Sequence, residues 1–435
     1  MGVTAILADF LHCTADPGLA AGGDGVEIVR DGALLVRDGR IERLLPARAL
    51  EAGPDVAIDD WRGHLAVPGF IDTHVHYPQV DVVASYGAQL LDWLERYTFP
   101  AERRFADRAY ADAAAAFFLD RLLENGTTTA AVYCTVHPQS VDAFFTAALR
   151  RGLRMIAGKL LMDRNCPDDL RDSARTGYDD SRALVERWHG RGRLGYAITP
   201  RFAPTSTPEQ LALAAQLARE VPDAWIQSHV AENRDEVDWA RSLFPEAASY
   251  LDIYDRAGLL RDRAVYGHCI WLDDADRRRM AQRGAAAAFC PTSNLFLGSG
   301  LYDLAAARAA GMRTGLATDI GGGTSYSMLA TLAEAYKVQQ LQGVSVPPAQ
   351  SLYLATLGGA VALGLADRIG SFRPGREADL VLLDRNATPA LARRTAASAD
   401  ALDDFFAFMM LGDARAVAAT YVLGSRVAAP AAASG

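Results

Sequence analysis

The sequence predicts an α/β protein, a (β/α)8 TIM-like barrel with a small β-sandwich domain built from both chain ends. Three observations support this fold class. Strand-type and helical segments alternate between residues 67 and 369, β-type segments occupy both ends of the chain, and metal-binding or acid–base residues close several apolar segments. We therefore expect residues 1–66 and 370–435 to form the β domain and residues 67–369 to form the barrel.

The pattern of the N-terminal part predicts four short strands. They are predicted over residues 2–7, 26–29, 33–37 and 40–45. The dipeptide Asp38-Gly39 between the last two is a hairpin signal, because both residue types tolerate positive φ.

The middle of the chain supplies the eight strands that a closed parallel barrel requires. They are predicted near residues 66–73, 127–133, 154–161, 194–199, 225–230, 264–267, 286–289 and 314–317. Helices are predicted over 106–124, 208–220 and 273–283, and another over 326–340. Two further strands, 378–384 and 417–422, return the chain to the β domain.

Composition excludes several classes of protein. The chain has 44 basic and 53 acidic side chains, a net charge of -9, which argues against nucleic acid or an anionic membrane as a partner. The five cysteines form no C-x-x-C pair, and neither a signal peptide nor a stretch of about 18 apolar residues is evident. We expect a cytoplasmic protein with reduced thiols and a small-molecule substrate.

The segment Pro68–His76 ends in a His-x-His pair. Side chains alternate along a strand, so His74 and His76 point to the same face. Two imidazoles on one face are half of a metal site, whereas the simpler interpretation is a pair of exposed histidines.

Three other strand ends favour the metal interpretation. His229, His268 and Asp319 each close a short apolar segment, and such ends converge on one mouth of a barrel. Glu232 follows His229 by three residues. It is either a first-turn carboxylate of the next helix or a proton shuttle beside the metal.

These residues resemble the amidohydrolase superfamily. The resemblance rests on Pro-Gly-Phe-Ile-Asp-Thr-His-Val-His, on a histidine at the fifth and sixth strand ends, and on an aspartate at the eighth. Within the superfamily the chain is similar to the guanine deaminase family in the segments 74–79, 98–102, 162–165, 199–202, 228–233, 290–294 and 318–323. Two-metal members carry a lysine at the end of strand four, and residues 194–199 contain none.

The resemblance implies a role for each site residue. His74, His76, His229 and Asp319 would hold a single Zn²⁺. Glu232, His268 and Asp319 would be catalytic, with His268 orienting the water and Glu232 shuttling protons. The purine would be bound by Gln79, Arg201 and Phe202, together with Glu232 and His268.

The implied reaction is hydrolysis of guanine to xanthine and ammonia, in a homodimer. Two alternative reactions stay open at this point, and so does a protein without catalytic activity. One is a deaminase of another amino-heterocycle, such as a triazine or an oxidised guanine. The other is a cyclic amidohydrolase, which would need two metals. A non-catalytic binder on the same barrel would need neither Glu232 nor His268.

Overall fold

The computed structural model describes residues 2–20, 24–51, 53–87 and 89–427, so residues 428–435 of the predicted β domain lie outside it. The strands are β1 (Val3–Cys13), β2 (Val26–Arg37), β3 (Arg40–Pro46), β4 (Val56–Pro68), β5 (Phe70–His76), β6 (Thr127–Tyr133), β7 (Arg154–Gly158), β8 (Leu160–Leu161), β9 (Gly195–Pro200), β10 (Trp225–Val230), β11 (Ala264–His268), β12 (Ala286–Phe289), β13 (Arg313–Leu316), β14 (Leu380–Leu383), β15 (Val417–Val422) and β16 (Ser425–Arg426).

The helices lie mainly between the barrel strands. They are α1 (Leu90–Trp93), α2 (Phe99–Arg103), α3 (Arg108–Glu124), α4 (Pro138–Arg150), α5 (Ala174–Trp188), α6 (Pro208–Glu220), α7 (Arg234–Leu243), α8 (Tyr250–Ala257), α9 (Asp274–Arg283), α10 (Pro291–Phe296), α11 (Leu304–Ala309), α12 (Met328–Gln340), α13 (Pro348–Ala355), α14 (Leu357–Ala362), α15 (Pro389–Thr395) and α16 (Ala401–Leu411). None of the described helices is long and apolar enough to cross a membrane.

Eight parallel strands form the barrel, which confirms the predicted fold class. β5, β6, β7, β9, β10, β11, β12 and β13 are neighbours in chain order, and β8 adds a short extension beside β9. The first and last strands meet through loop hydrogen bonds. The amide of Asp319 donates to the carbonyl of His74 at 3.0 Å, and the amide of His76 donates to the carbonyl of Ile320 at 2.7 Å.

The first barrel strand differs from the strand that the sequence predicts. The sequence predicts a single strand over 66–73, but the strand is interrupted at Gly69. β4 ends before this residue in one sheet, and β5 begins after it in the other. A Cβ at Gly69 would lie 2.2 Å from Oγ1 of Thr128, so only glycine permits this close passage. β5 then carries one extra residue between Asp72 and Val75 relative to β6. Such a bulge changes the direction of nearby side chains.

The β domain is one hydrogen-bonded sheet with the strand order β16-β15-β14-β4-β1-β2-β3. Its edge strand β3 also bonds to the segment that precedes β14, because the amide of Ile41 donates to the carbonyl of Arg376 at 2.8 Å. The sheet thereby encloses an apolar cluster that includes Phe10, Leu34 and Leu382. Within the β domain, four of the described strands and α-helices lie outside the predictions from the sequence: β4 up to residue 65, the short strand β16, and the helices α15 and α16.

Charged side chains join the β domain to the barrel. Arg154, the first residue of β7, donates from Nε to Oε2 of Glu377 at 2.8 Å, and Arg193 donates to Glu377 and Asp379 at 2.7 Å each. Burial alone would raise the pKa of Glu377. The hydrogen bonds and positive charges of Arg154 and Arg193 outweigh that effect and hold this pKa below its ordinary value.

Candidate active site

A cavity at the carboxyl ends of the barrel strands collects the predicted site residues. The space between its walls, including the part open to solvent, is about 430 Å³. Eight of the nine predicted residues line it, namely His76, Gln79, Arg201, Phe202, His229, Glu232, His268 and Asp319. His74, the ninth, is buried beside this group.

Four donor atoms converge at the floor of the cavity. Nε2 of His76 lies 3.3 Å from Nε2 of His74 and 3.1 Å from Nε2 of His229. Oδ1 of Asp319 lies 3.3 Å from Nε2 of His74 and 3.4 Å from Nε2 of His76. In a tetrahedral zinc site with bonds of about 2.0–2.1 Å, neighbouring ligand atoms are roughly 3.3–3.4 Å apart. The set therefore fits a divalent metal ion.

Hydrogen bonds on the far side of two imidazoles fix their orientation. Nδ1 of His229 lies 2.7 Å from the carbonyl oxygen of Arg201, so it carries the proton and leaves Nε2 as a lone pair toward the cluster. Nδ1 of His268 lies 2.8 Å from Oδ1 of Asn294 and is held in the same way. Arg201 directly follows β9, and Asn294 lies on α10 just after β12, so each partner follows the strand next to that of its histidine.

The electrostatics of the cluster suit a metal. Burial, reinforced by neighbouring imidazoles, lowers the pKa of His76 and His229 well below the ordinary value, and burial lowers the pKa of His74 despite Asp319. Burial would raise the pKa of Asp319, but its contact with His74 and the nearby imidazoles bring it to about 2. Neutral imidazoles beside a carboxylate are the protonation states in which these groups bind metal.

Glu232 and His268 form a pair beside the cluster of His74, His76, His229 and Asp319. Oε2 of Glu232 lies 3.3 Å from Nε2 of His268, and Ser299 donates to Oε1 of Glu232 at 3.1 Å. Burial raises the pKa of Glu232 to about 7 even though His268 opposes the shift. Burial would lower the pKa of His268, but Glu232 and Asp319 raise it above the ordinary value. Such a carboxyl can both accept and donate a proton near neutral pH.

The helix after Glu232 begins without using its side chain. Asn233 caps α7, and the side chain of Glu236 accepts from the amides of Glu232 and Asn233 at 2.8 and 3.1 Å. Tyr250 donates to the other oxygen of Glu236 at 2.6 Å. A capping box therefore holds the loop while the carboxylate of Glu232 remains directed at His268.

The substrate side of the cavity combines polar groups with an apolar wall. Arg201 and Gln79 supply donors, although Oε1 of Gln79 already accepts from the amide of Gly321 at 3.1 Å. Its Nε2 is therefore the group best placed to meet a ligand. Apolar lining residues are Leu90, Trp93, Leu94, Phe202 and Leu297. A flat ring with polar edges matches such a surface.

Several residues that shape the site were not singled out from the sequence. Asn294 and Glu102 lie in segments that carried the family resemblance, so a signal for them existed. Ser299 carries no local signature, because it reaches Glu232 only through the fold. Glu236 follows Asn233 at the spacing of a capping box, so a local signal for it existed.

A lysine-bridged second metal has no support in the described residues. The barrel lysine, Lys159, donates to Asp172 and to the carbonyl of Leu160 rather than to the cluster. Cys290 lies close enough to His74, His268 and Asp319 to share a metal with them. His74 and Asp319 also belong to the cluster with His76 and His229, so the two sets would compete for one ion. The thiol of Cys290 instead donates to the carbonyl of Ala288 at 3.4 Å.

Comparison with known proteins places the chain in a family. The model of the amidohydrolase family matches residues 65–427. A guanine deaminase from Escherichia coli strain K12 is 50% identical over 407 residues, which is 92% of each chain. The chain belongs to the guanine deaminases of the amidohydrolase family. A probable guanine deaminase from Deinococcus radiodurans is 44% identical and covers 88% of this chain and 89% of the relative.

The guanine deaminase family is also supported by a solved structure. The structure of E. coli guanine deaminase has a TM-score of 0.95 and 48% identity to this chain, and the match covers 98% of this chain and 99% of that one. Likeness at this level extends over both the barrel and the β domain.

Proposed function

We propose that this protein is a zinc-dependent guanine deaminase, which hydrolyses guanine to xanthine and ammonia. The observation that carries the proposal is the pairing of the cluster of His74, His76, His229 and Asp319 with the Glu232–His268 pair, 3.3 Å apart, at one cavity. The guanine deaminase of E. coli, at 50% identity, supports the choice of substrate.

We assign His74, His76, His229 and Asp319 as the ligands of one zinc ion per chain. Three neutral imidazoles and one carboxylate are ligand types that zinc prefers. A zinc ion bound there supplies Lewis acidity, which makes water a nucleophile at neutral pH. The ligand spacing given above and the family membership support this assignment.

Glu232 and His268 carry the proton transfers in this proposal. His268 orients the attacking water, and Glu232 takes its proton. Glu232 delivers that proton to N3 of guanine as C2 becomes tetrahedral. It then passes the proton of the added hydroxyl to the amino group, and the C2–N bond breaks to release ammonia and leave the 2-oxo group of xanthine. A carboxyl with a pKa of about 7 is suited to both directions of transfer. Asp319, 3.8 Å from Nε2 of His268, completes the catalytic set.

Arg201, Gln79 and Phe202 bind the base in this proposal. Arg201 donates to the 6-oxo group, Nε2 of Gln79 meets the polar edge of the ring, and Phe202 packs against its face. Glu232 and His268 contact the reacting end. Each of these five side chains lines the cavity.

Product identification tests the proposed function. Purified protein loaded with zinc is incubated with guanine, and the products are separated and identified. We expect equal amounts of xanthine and ammonia, and loss of turnover after chelation that added zinc restores. Release of no ammonia from guanine by zinc-loaded protein would overturn the proposal.

We further propose a cytoplasmic homodimer, on the basis of the resemblance and of the five free cysteines. Light scattering coupled to size-exclusion chromatography should give twice the mass of one chain. A monomer at micromolar concentration would contradict the dimer.

A further inference from the structure

Glu102 is a buried carboxylate that the proposed reaction does not use. It lies on α2, and its side chain is 1% exposed. Both of its oxygens accept hydrogen bonds from the same atom, Nη1 of Arg201, at 2.9 and 2.8 Å. Within the described part of the chain this carboxylate has no other hydrogen-bonding partner.

This contact uses only Nη1 of the Arg201 guanidinium. Nε and Nη2 donate to no acceptor among the described residues, while the residue itself lines the cavity. The ring of Phe99, also on α2, lies 5.3 Å from the guanidinium carbon. The carboxylate and the ring therefore fix the plane of the guanidinium and leave donors for a ligand.

Stability alone is a weak explanation for this pair. Removing two charges from water is costly, and buried ion pairs are often no more stabilising than apolar side chains of similar volume. A donor that is already held in place, in contrast, strengthens ligand binding, because binding then avoids the entropy cost of ordering a long side chain. The neutralised charge also suits an uncharged ligand.

We propose that Glu102 is a positioning residue that directs the free donors of Arg201 at the 6-oxo group of the purine and thereby determines the preference for 6-oxopurines. This inference rests on the proposed function. Glu102 acts through Arg201 and does not itself contact the base. Phe99 supports the same orientation from the face of the guanidinium.

Inhibition by two purines separates positioning from a merely structural role. Hypoxanthine carries the 6-oxo group, and unsubstituted purine lacks it. Their inhibition constants against guanine turnover are measured for the wild type, Glu102→Gln and Glu102→Asp. We expect the wild type to bind hypoxanthine at least about 10-fold more tightly than purine. This ratio should fall toward one in Glu102→Gln, with an intermediate value in Glu102→Asp.

The matched control is Glu377→Gln, which removes another buried carboxylate bonded to arginine, far from the cavity. It should keep the wild-type ratio. A wild-type ratio in Glu102→Gln overturns the inference, and so does a wild type that binds the two purines equally. If Glu102→Gln does not fold, an unchanged ratio in Glu102→Asp overturns it. A wild type that cannot deaminate guanine overturns the proposed function instead.

Discussion

At the residue scale, the environment of Glu232 explains why its carboxyl is suited to proton transfer. The side chain is buried, which raises its pKa to about 7, and Ser299 and His268 hold it in one orientation. The helix cap that a carboxylate could supply at this point is provided by Asn233 and Glu236. Glu232 is thus free of a structural task and faces the cavity.

Replacement of Glu232 by Gln should therefore affect turnover and little else. We expect kcat to fall about 10²- to 10⁴-fold, the usual contribution of a positioned acid–base group. Zinc content and melting temperature should stay close to the wild type. Steady-state kinetics, elemental analysis and calorimetry check the three quantities. Near-normal turnover would show that Glu232 does not transfer protons in the reaction.

Gly267 offers a test of His74 as a proposed metal ligand. A Cβ at this position would lie 2.6 Å from Cε1 of His74, so Gly267→Ala must displace that imidazole. We expect zinc affinity to fall about 10- to 100-fold, as when the support of a ligand is removed. Gly53→Ala, which has open space around it, is the control. Chelator competition measures the affinities, and equal values for both variants would contradict the assignment of His74.

At the scale of secondary-structure elements, the ion pairs of Glu377 hold the β domain to strand β7 and to the loop that precedes β9. The carboxylate is 4% exposed and bonded to both Arg154 and Arg193. Glu377→Gln should lower the free energy of unfolding by about 3 kcal/mol, because two buried guanidinium groups lose their partner. Glu42→Gln, in an exposed pair with Arg37, should change it by less than about 0.5 kcal/mol. Urea unfolding at neutral pH compares them.

The ion pairs of Glu377 also predict how the free energy of unfolding depends on pH. The pKa of Glu377 in the folded protein lies below its value in the unfolded chain, which is about 4.3. Its contribution is complete above that unfolded value and is lost as the pH falls through the folded pKa. The unfolding free energies of the wild type and Glu377→Gln should therefore converge in acid. A constant difference down to pH 3 would show that the charge of Glu377 is not responsible.

Elements could be predicted from the sequence where the pattern of apolar residues is simple. β6, β10 and β12 have the expected bounds, because each is a fully or largely buried segment between helices. β4 was missed because residues 56–64 contain no buried position, so the period-two signal is absent. The first barrel strand was misplaced because Gly69 redirects an apolar run that looks continuous in sequence.

At the scale of the whole molecule, the site depends on a fold that brings distant residues together. His74 and Asp319 are predictable because each ends a strand-type segment, and a barrel places all strand ends at one mouth. Glu102, which bonds to Arg201, lies on a short helix whose packing no sequence period encodes. Local patterns therefore indicate the ligands, whereas the residues that orient them become visible only in three dimensions.

Metal content tests the assembled site as a unit. Elemental analysis of protein freed of loosely bound metal should give about one zinc per chain, as a single four-ligand site requires. Lys159, bonded to Asp172, should not contribute to a second site. A reproducible value of two metals per chain would contradict the mononuclear assignment.

Substrate selectivity tests the central claim most directly. Adenine has an amino group where guanine has the 6-oxo group, so the donors of Arg201 would meet another donor. Sites that hydrogen-bond a substrate group can reject an analogue that lacks it by about 10⁴- to 10⁵-fold. We predict that kcat/KM for guanine, measured by ammonia release, exceeds the value for adenine by at least about 10⁴. An equal or higher kcat/KM for adenine, cytosine or an aminotriazine would contradict the assignment as a guanine deaminase.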